Sequence, residues 1–366
     1  MFISGPVSLN VFYSKADKHY VYVFGDIHES LTHLCKPKNN ALVIWDLLFN
    51  LIILNPTIFF NILIEAHLGV NNNVDPILTY DNVDPISKIV DKFNCVSSKT
   101  NKIKFSNAMI HYVDYRITDS YSNIITKFNK KYKESHSFFY KIEEIDQCLV
   151  RLLLIYYGTP NNKPDHNDMH KYLILIFTLL TALEHDMRIN TISDYVNTFK
   201  TYINYSKIDK QYMNIKNNLY VDILRKYTTS FFIFILKKYK NIIFKDIIEI
   251  FKCAARVKNT PTEIQYILNN QMSKIYAFYE FNLELQTILM DTYAMGRLLR
   301  DFKEYDDIRF KDKKKYSILY VGQKHATTYN KLLTEMNFDL LYKSNVYNNN
   351  KRCIQIKKEA FNDFTL

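Results

Sequence analysis

The sequence predicts an α/β fold: a mainly parallel central sheet built from both chain ends, with a large all-helical insertion. Three observations lead there. Two β-branched and aromatic runs, one near each end, finish alike. His19–Phe24 runs into Gly25-Asp26-Ile27-His28, and Tyr316–Val321 runs into Gly322-Gln323-Lys324-His325. Runs of this kind read as buried strands. After an opening hairpin, the first 118 residues alternate strand, helix, strand, helix, strand, which is the order of a parallel sheet. From 119 to 303 the apolar residues recur at helical spacing and no strand stands out. The expected division is therefore a split sheet domain, 1–118 with 304–366, and a helical insertion, 119–303, packed on it.

The elements follow in order. Leu9–Ser14 and His19–Phe24 form the hairpin, joined by Lys15–Lys18. Residues 29–40 are polar and form a loop. Ala41–Leu54 is apolar enough for a buried helix, stopped by Asn55-Pro56. Phe59–Ile64 is a buried strand that closes on Glu65. Residues 70–82 form a loop, and Asp84-Pro85 starts a helix reaching Asn94. Lys104–Tyr115 is a third strand. Helical spacing then covers 138–157, 171–183, 191–205, 213–239, 242–257 and 262–302. Tyr316–Val321 returns to strand, His325–Met336 is a helix, and 339–347 and 353–357 are short strands or tail.

Composition bounds the class. With 48% hydrophobic residues, 29 Tyr and 25 Phe, 366 residues build a substantial core. Scarce Gly and Pro, with abundant Lys, Asn, Ile, Tyr and Phe, point to an A/T-rich genome. The net charge of +11 permits acidic partners. The basic clusters at 127–133, 237–240 and 311–315 carry no specific nucleic-acid motif and read as solvated faces. Five widely spaced Cys suggest free thiols in a reducing compartment. No signal peptide and no transmembrane segment are expected: 41–66 is interrupted by polar residues, and 172–183 is too short to cross a bilayer.

Candidate chemistry gathers at strand ends. Open α/β sheets bind ligands in the crevice beyond the carboxyl ends of their strands. Each Gly is expected to turn the chain there and each His to reach the crevice. A neutral imidazole can ligate a metal or act as a general base. Asp26 and Glu65 fall at strand ends, and a Glu closing an apolar run needs a partner. His28, His325, Glu65 and Asp26 together would make a divalent metal site. Otherwise a carboxylate orients an imidazole or activates water. Asp114 and Arg116 end the third strand and can pair with each other. Asp291, Arg297 and Arg300 lie on the last long helix. Arg297 is a candidate for binding an anion or stabilising an oxyanion, and a structural ion pair with Asp291 is the plainer reading.

With these residues placed, the pattern resembles the TraB/Tiki and erythromycin-esterase/ChaN superfamily. The resemblance rests on Gly25-Asp26-Ile27-His28, the strand-end Glu65, Arg297, Gly322-Gln323-Lys324-His325 and the helix 329–338. More closely, Phe24–His28, Glu65, His111–Arg116 and Met290–Arg297 are similar to stretches of giant DNA virus proteins. One branch of the superfamily commonly has Gly-Glu-x-His where Asp26 stands here. The resemblance implies hydrolysis of an ester or peptide bond, with His28, Glu65, His325 and Arg297 as catalytic residues and a divalent metal as cofactor. It also implies residence in the host cytoplasm, a virus factory or the virion, without secretion. The alternative is a catalytically inactive viral binding or structural protein that retains the fold. Gly-Asp-Ile-His is also a fragment of a metallophosphoesterase motif, but the other motifs of that class are missing.

Overall fold

The computed structural model describes residues 2–27, 41–67, 105–114, 171–181, 212–241, 269–302, 314–345, 353–361 and 363–365. It also describes shorter stretches at 89, 145, 148–149, 152, 193–194, 197, 246, 249–250, 252–253 and 266. The chain divides into two compact units. One comprises 1–117, 211–224 and 290–366, and the other 118–210 and 225–289.

The first unit is built on a mostly parallel six-stranded sheet. Its strands are β2 (Ser8–Ser14), β3 (His19–Asp26), β5 (Phe60–His67), β6 (Ala108–Asp114), β7 (Lys315–Gly322) and β8 (Asp339–Asn345). They lie in the order β6-β5-β7-β3-β2-β8. β3, β7, β5 and β6 pair in parallel, while β2 pairs antiparallel with β3 and β8. β7 thus lies between two strands from the first seventy residues. Apart from Ser317 its buried centre is apolar, which explains why it reads as a β-branched and aromatic run.

Strand alternation sorts the side chains. Tyr22, Phe24, Phe60, Ile62, Ile64, Tyr316, Ile318 and Tyr320 share one core with Leu47, Leu48 and Leu51 of helix α1 (Ile44–Leu54). Each large side chain taken out of water there contributes about 1.5–3 kcal/mol. Tyr20 stacks on Tyr316 at 5.3 Å and Tyr22 on Phe361 at 5.3 Å, which ties the C-terminal 3₁₀ turn (Lys358–Phe361) to the sheet. Helix α4 (Gln323–Glu335) follows β7 directly and packs on β3 and β7.

A second sheet was not expected from sequence. β1 (Phe2–Ser4) pairs in parallel with β4 (Leu42–Val43) and antiparallel with β9 (Cys353–Gln355). β4 occupies residues read as the start of a helix, so α1 begins at Ile44. Strands of two or three residues are too short to show a period of two. Cys353 is disulfide-bonded. This corrects the reading of all five cysteines as free thiols, although Cys148 and Cys253 are free. The other half of that disulfide lies outside the described residues.

In the second unit the described residues are helical apart from Gln271, which is in a turn. Residues 171–181 bury Leu173, Ile176, Leu179 and Leu180, a single helical stripe. Helix α2 (Asn218–Asn241) and helix α3 (Met272–Leu299) each run across a unit boundary. Within the second unit, Lys238 Nζ and Tyr239 Oη donate to Glu284 Oε1 at 2.8 and 3.1 Å. Tyr239 and Phe278 both pack on Phe281. Among the described residues no helix is long and apolar enough to cross a membrane. The helix expected over 84–94 falls outside the described residues except at 89.

Candidate functional site

The register of the parallel strands assembles the carboxyl edge. Asp26 pairs with Gly322 across β3 and β7, and Ile64 pairs with Tyr320 across β5 and β7. Asp26, Glu65 and Gly322 therefore end up on one edge of the sheet. β5 runs past Glu65 to His67, with an irregularity in its pairing to β6 between Ile64 and His67. An irregular strand end of this kind re-aims its side chains.

Glu65 uses that freedom to cap α4. Gly322 is the N-cap of α4 and has no side chain of its own to supply a capping bond. Its N–H, which has no carbonyl inside the helix to receive it, donates to Glu65 Oε2 at 2.5 Å. A carboxylate at a helix N-terminus also meets the favourable end of the helix dipole. The need for a partner, inferred from a Glu closing an apolar run, is met in this way.

His325 stands in the first turn of the same helix. Its Nδ1 lies 2.6 Å from Asp291 Oδ1 of α3, and its Nε2 lies 3.5 Å from Glu65 Oε1. Side-chain exposure is 13% for His325, 7% for Glu65 and nil for Asp291. A fully buried carboxylate requires donors, so Asp291 draws the proton of His325 to Nδ1. That leaves Nε2 as the nitrogen facing Glu65. At 3.5 Å the contact is an ion-pair distance rather than a good hydrogen bond.

The two glycines do not turn the chain as expected. Gly25 lies inside β3, paired with Ser8 and Val321. Gly322 has φ −57° and ψ 147°, ordinary extended backbone. Gly25 is needed for space: a Cβ there would fall 2.1 Å from Gln323 Oε1 and 2.6 Å from Ser8 Oγ. Those two atoms are joined by a 2.6 Å hydrogen bond from Ser8 across the glycine, which seats the first residue of α4.

The other candidates are distributed as follows. His28 and Arg116 lie outside the described residues, as does the side chain of Asp114. Asp26 is buried: Oδ2 accepts from Tyr320 Oη and Oδ1 from the Ile27 N–H, both at 2.8 Å. Arg297 Nε donates to Tyr293 Oη at 3.3 Å, with the guanidinium over the Tyr293 ring. Six residues on from Asp291, Arg297 is turned about 120° around the helix from it. Burial, with Arg297 and Arg300 adding to it, pushes the His111 imidazole down to about 3. The structure thus brings Glu65 and His325 together and places His325 against Asp291. Among the described residues no group of three or more His, Cys, Asp or Glu is placed to hold a metal ion.

A second polar group went unnoticed in the sequence. His19 Nε2 and Ser317 Oγ lie 2.8 Å apart, and Asn61 Nδ2 donates to Ser317 Oγ at 3.3 Å. All three are buried. Ser317 Oγ thus joins the Asn61 amide to the His19 ring. Burial first, then the charge of Lys315, hold the His19 imidazole down at about 3. The available signal was a single polar residue interrupting each of two buried strand runs.

No family model matches the chain, and neither curated proteins nor solved structures provide a significant match.

Proposed function

We propose that the chain is a hydrolase of ester or peptide bonds, working at the carboxyl edge of the sheet. The observation that carries this reading is the line Asp291–His325–Glu65, in which a buried carboxylate holds an imidazole that faces a second carboxylate. In this reading Asp291 fixes the tautomer and stabilises the imidazolium. His325 Nε2 takes a proton from water as the water oxygen bonds to the carbonyl carbon. The same proton then passes to the leaving oxygen or nitrogen as its bond to that carbon breaks. Glu65 orients the attacking water, and Arg297 serves the anionic group of the substrate. His28 belongs to the proposal as the second imidazole, and the central 119–303 stretch as a helical insertion.

A divalent metal held by His28, Glu65, His325 and Asp26 is the variant implied by the TraB/Tiki and ChaN resemblance. The described donors do not form such a group: both oxygens of Asp26 accept protein hydrogen bonds, and Glu65 Oε2 is bound to Gly322. No step is therefore routed through a metal.

The test is turnover of a panel of nitrophenyl esters and fluorogenic peptides, with and without added Mg²⁺, Mn²⁺ or Zn²⁺. His325→Ala is expected to lower kcat by about 10²–10⁴-fold while the protein stays folded. Equal turnover by the variant contradicts the proposal. A second reading, an inactive viral binding or structural protein of the host cytoplasm, virus factory or virion, is favoured by how deeply the line is buried. It predicts no turnover in the panel.

A further inference from the structure

One face of α2 is not used by the proposed hydrolase. Within the second unit this helix runs from Arg225 to Asn241. Phe232, Ile235, Leu236 and Tyr239 are buried, and Tyr239 packs on Phe281 of α3. That side of the helix belongs to the core of the unit. On another side three aromatic rings stand in a row. Tyr227 stacks on Phe231 with centroids 5.8 Å apart, and Phe231 stacks on Phe234 at 6.1 Å. Their spacing of i, i+4 and i+7 keeps them within about 60° of one another around the helix, along about 10 Å of its length. Tyr227 and Phe231 are half-buried, and Phe234 is 55% exposed.

Charge around this ridge has one sign. From Ile223 to Asn241 the sequence has five basic residues and no acidic one. Lys238 is paired with Glu284 of α3. Lys226 and Lys237 are exposed, and neither forms an ion pair with a described residue. Eleven residues apart, they lie within about 20° of each other, on one side of the ridge. Both ammonium groups can therefore meet the same surface as the Phe234 ring. The basic run Lys237–Lys240, which reads from sequence as a solvated face, here adjoins exposed aromatic surface.

We propose that this face of α2 docks on an anionic lipid surface, with Phe234 and the rings beside it at the acyl boundary and Lys226 and Lys237 among the headgroups. Contiguous exposed apolar surface bordered by polar residues marks an interaction site. A ridge of rings with ammonium groups beside it fits acyl carbon lying beneath negative headgroups, because the rings enter while the lysines stay at headgroup level. A second copy of the chain is a poor occupant, since two such ridges would bring like charges together. The helix lies along the surface rather than through it, as it is not apolar enough to cross a membrane.

Flotation of the full chain with vesicles tests it, using phosphatidylcholine with added phosphatidylserine against phosphatidylcholine alone. Binding is expected to the phosphatidylserine vesicles only, and to weaken as salt is added. Phe234→Ala is expected to weaken it about tenfold. Lys226→Gln combined with Lys237→Gln is expected to weaken it about 25-fold, about fivefold for each lysine near the surface. The three side chains are exposed, so both variants should keep a Tm close to that of the unaltered protein. Three results overturn the proposal: no flotation with phosphatidylserine vesicles, equal flotation with phosphatidylcholine alone, or unchanged flotation of either variant. A single-stranded oligonucleotide that binds the protein and is lost in both variants, without vesicle binding, would also overturn it and assign the face to nucleic acid. The outcome does not depend on the hydrolase reading: residues 226–237 belong to the second unit, and Glu65, Asp291 and His325 to the first.

Discussion

His325 and His19 belong to opposite ends of one sheet, and their surroundings are reversed. At the carboxyl end, His325 lies between two carboxylates, Asp291 and Glu65. At the amino end, His19 is hydrogen-bonded to the Ser317 hydroxyl and has the Lys315 ammonium nearby. Carboxylates favour the imidazolium form, whereas burial beside a cation opposes it. The comparison teaches that a buried histidine is a candidate base only where its partners can stabilise the charge it acquires. His19, also in the core, is held neutral and has a structural role, and so is His111 beside Arg297 and Arg300.

The sharpest way to break this contrast is to remove the counter-charge. Asp291→Ala removes the buried carboxylate that holds the mostly buried His325 imidazole, and denaturant unfolding should show a loss of about 3–5 kcal/mol. A loss below 1 kcal/mol would mean that Asp291 does not hold His325. Acid acts on the other end. An unfolded imidazole titrates near 6.5, while folded His19 and His111 are held near 3. Between those values the unfolded chain binds protons that the folded chain refuses. Stability is therefore complete above pH 6.5 and falls as pH drops toward 3, by about 1.4 kcal/mol per pH unit for each imidazole. Urea titrations at a series of pH values check the slope, and His19→Gln should flatten it by one imidazole's share.

Smaller effects refine the picture. Ser317→Ala removes the hydrogen-bond partner of His19 Nε2 and the acceptor of Asn61, and should cost about 1–3 kcal/mol by chemical denaturation. Gly25→Ala forces Gln323 or Ser8 to move from the seat of α4, and overpacking of this kind costs about 1–3 kcal/mol. If Gly25 acted by turning the chain instead, the Ala variant would leave the Ser8–Gln323 contact intact in a crystal structure.

Much of the sheet could be read because its strands are long and uniformly apolar. The hairpin, β5, β6 and β7 all fall within a few residues of where the runs of Val, Ile, Tyr and Phe put them. β1 and β4 could not be read, since two or three residues carry no period, and the pairing of β9 with β1 could not be read because the two lie at opposite ends of the sequence. Glu65 and His325 were legible as strand-end polar residues. Asp291 was noticed, but its spacing to Arg297 suggested an ion pair along the helix. The His325 ring that it meets comes from a different helix, and this contact depends on tertiary packing that spacing does not encode. The glycines misled for a related reason. Their positions matter, but Gly25 provides room for Gln323 rather than a turn, and that contact spans almost the whole chain.

One measurement bears most directly on the central claim that Asp291 and Glu65 prepare His325 as a base. It is the pH–rate profile of the fastest-turned-over ester or peptide, recorded for the unaltered protein, His325→Ala and Asp291→Asn. The account predicts an ascending limb that reports one essential base, lost with His325→Ala and displaced with Asp291→Asn, in protein that remains folded. An ascending limb unchanged in both variants would contradict it.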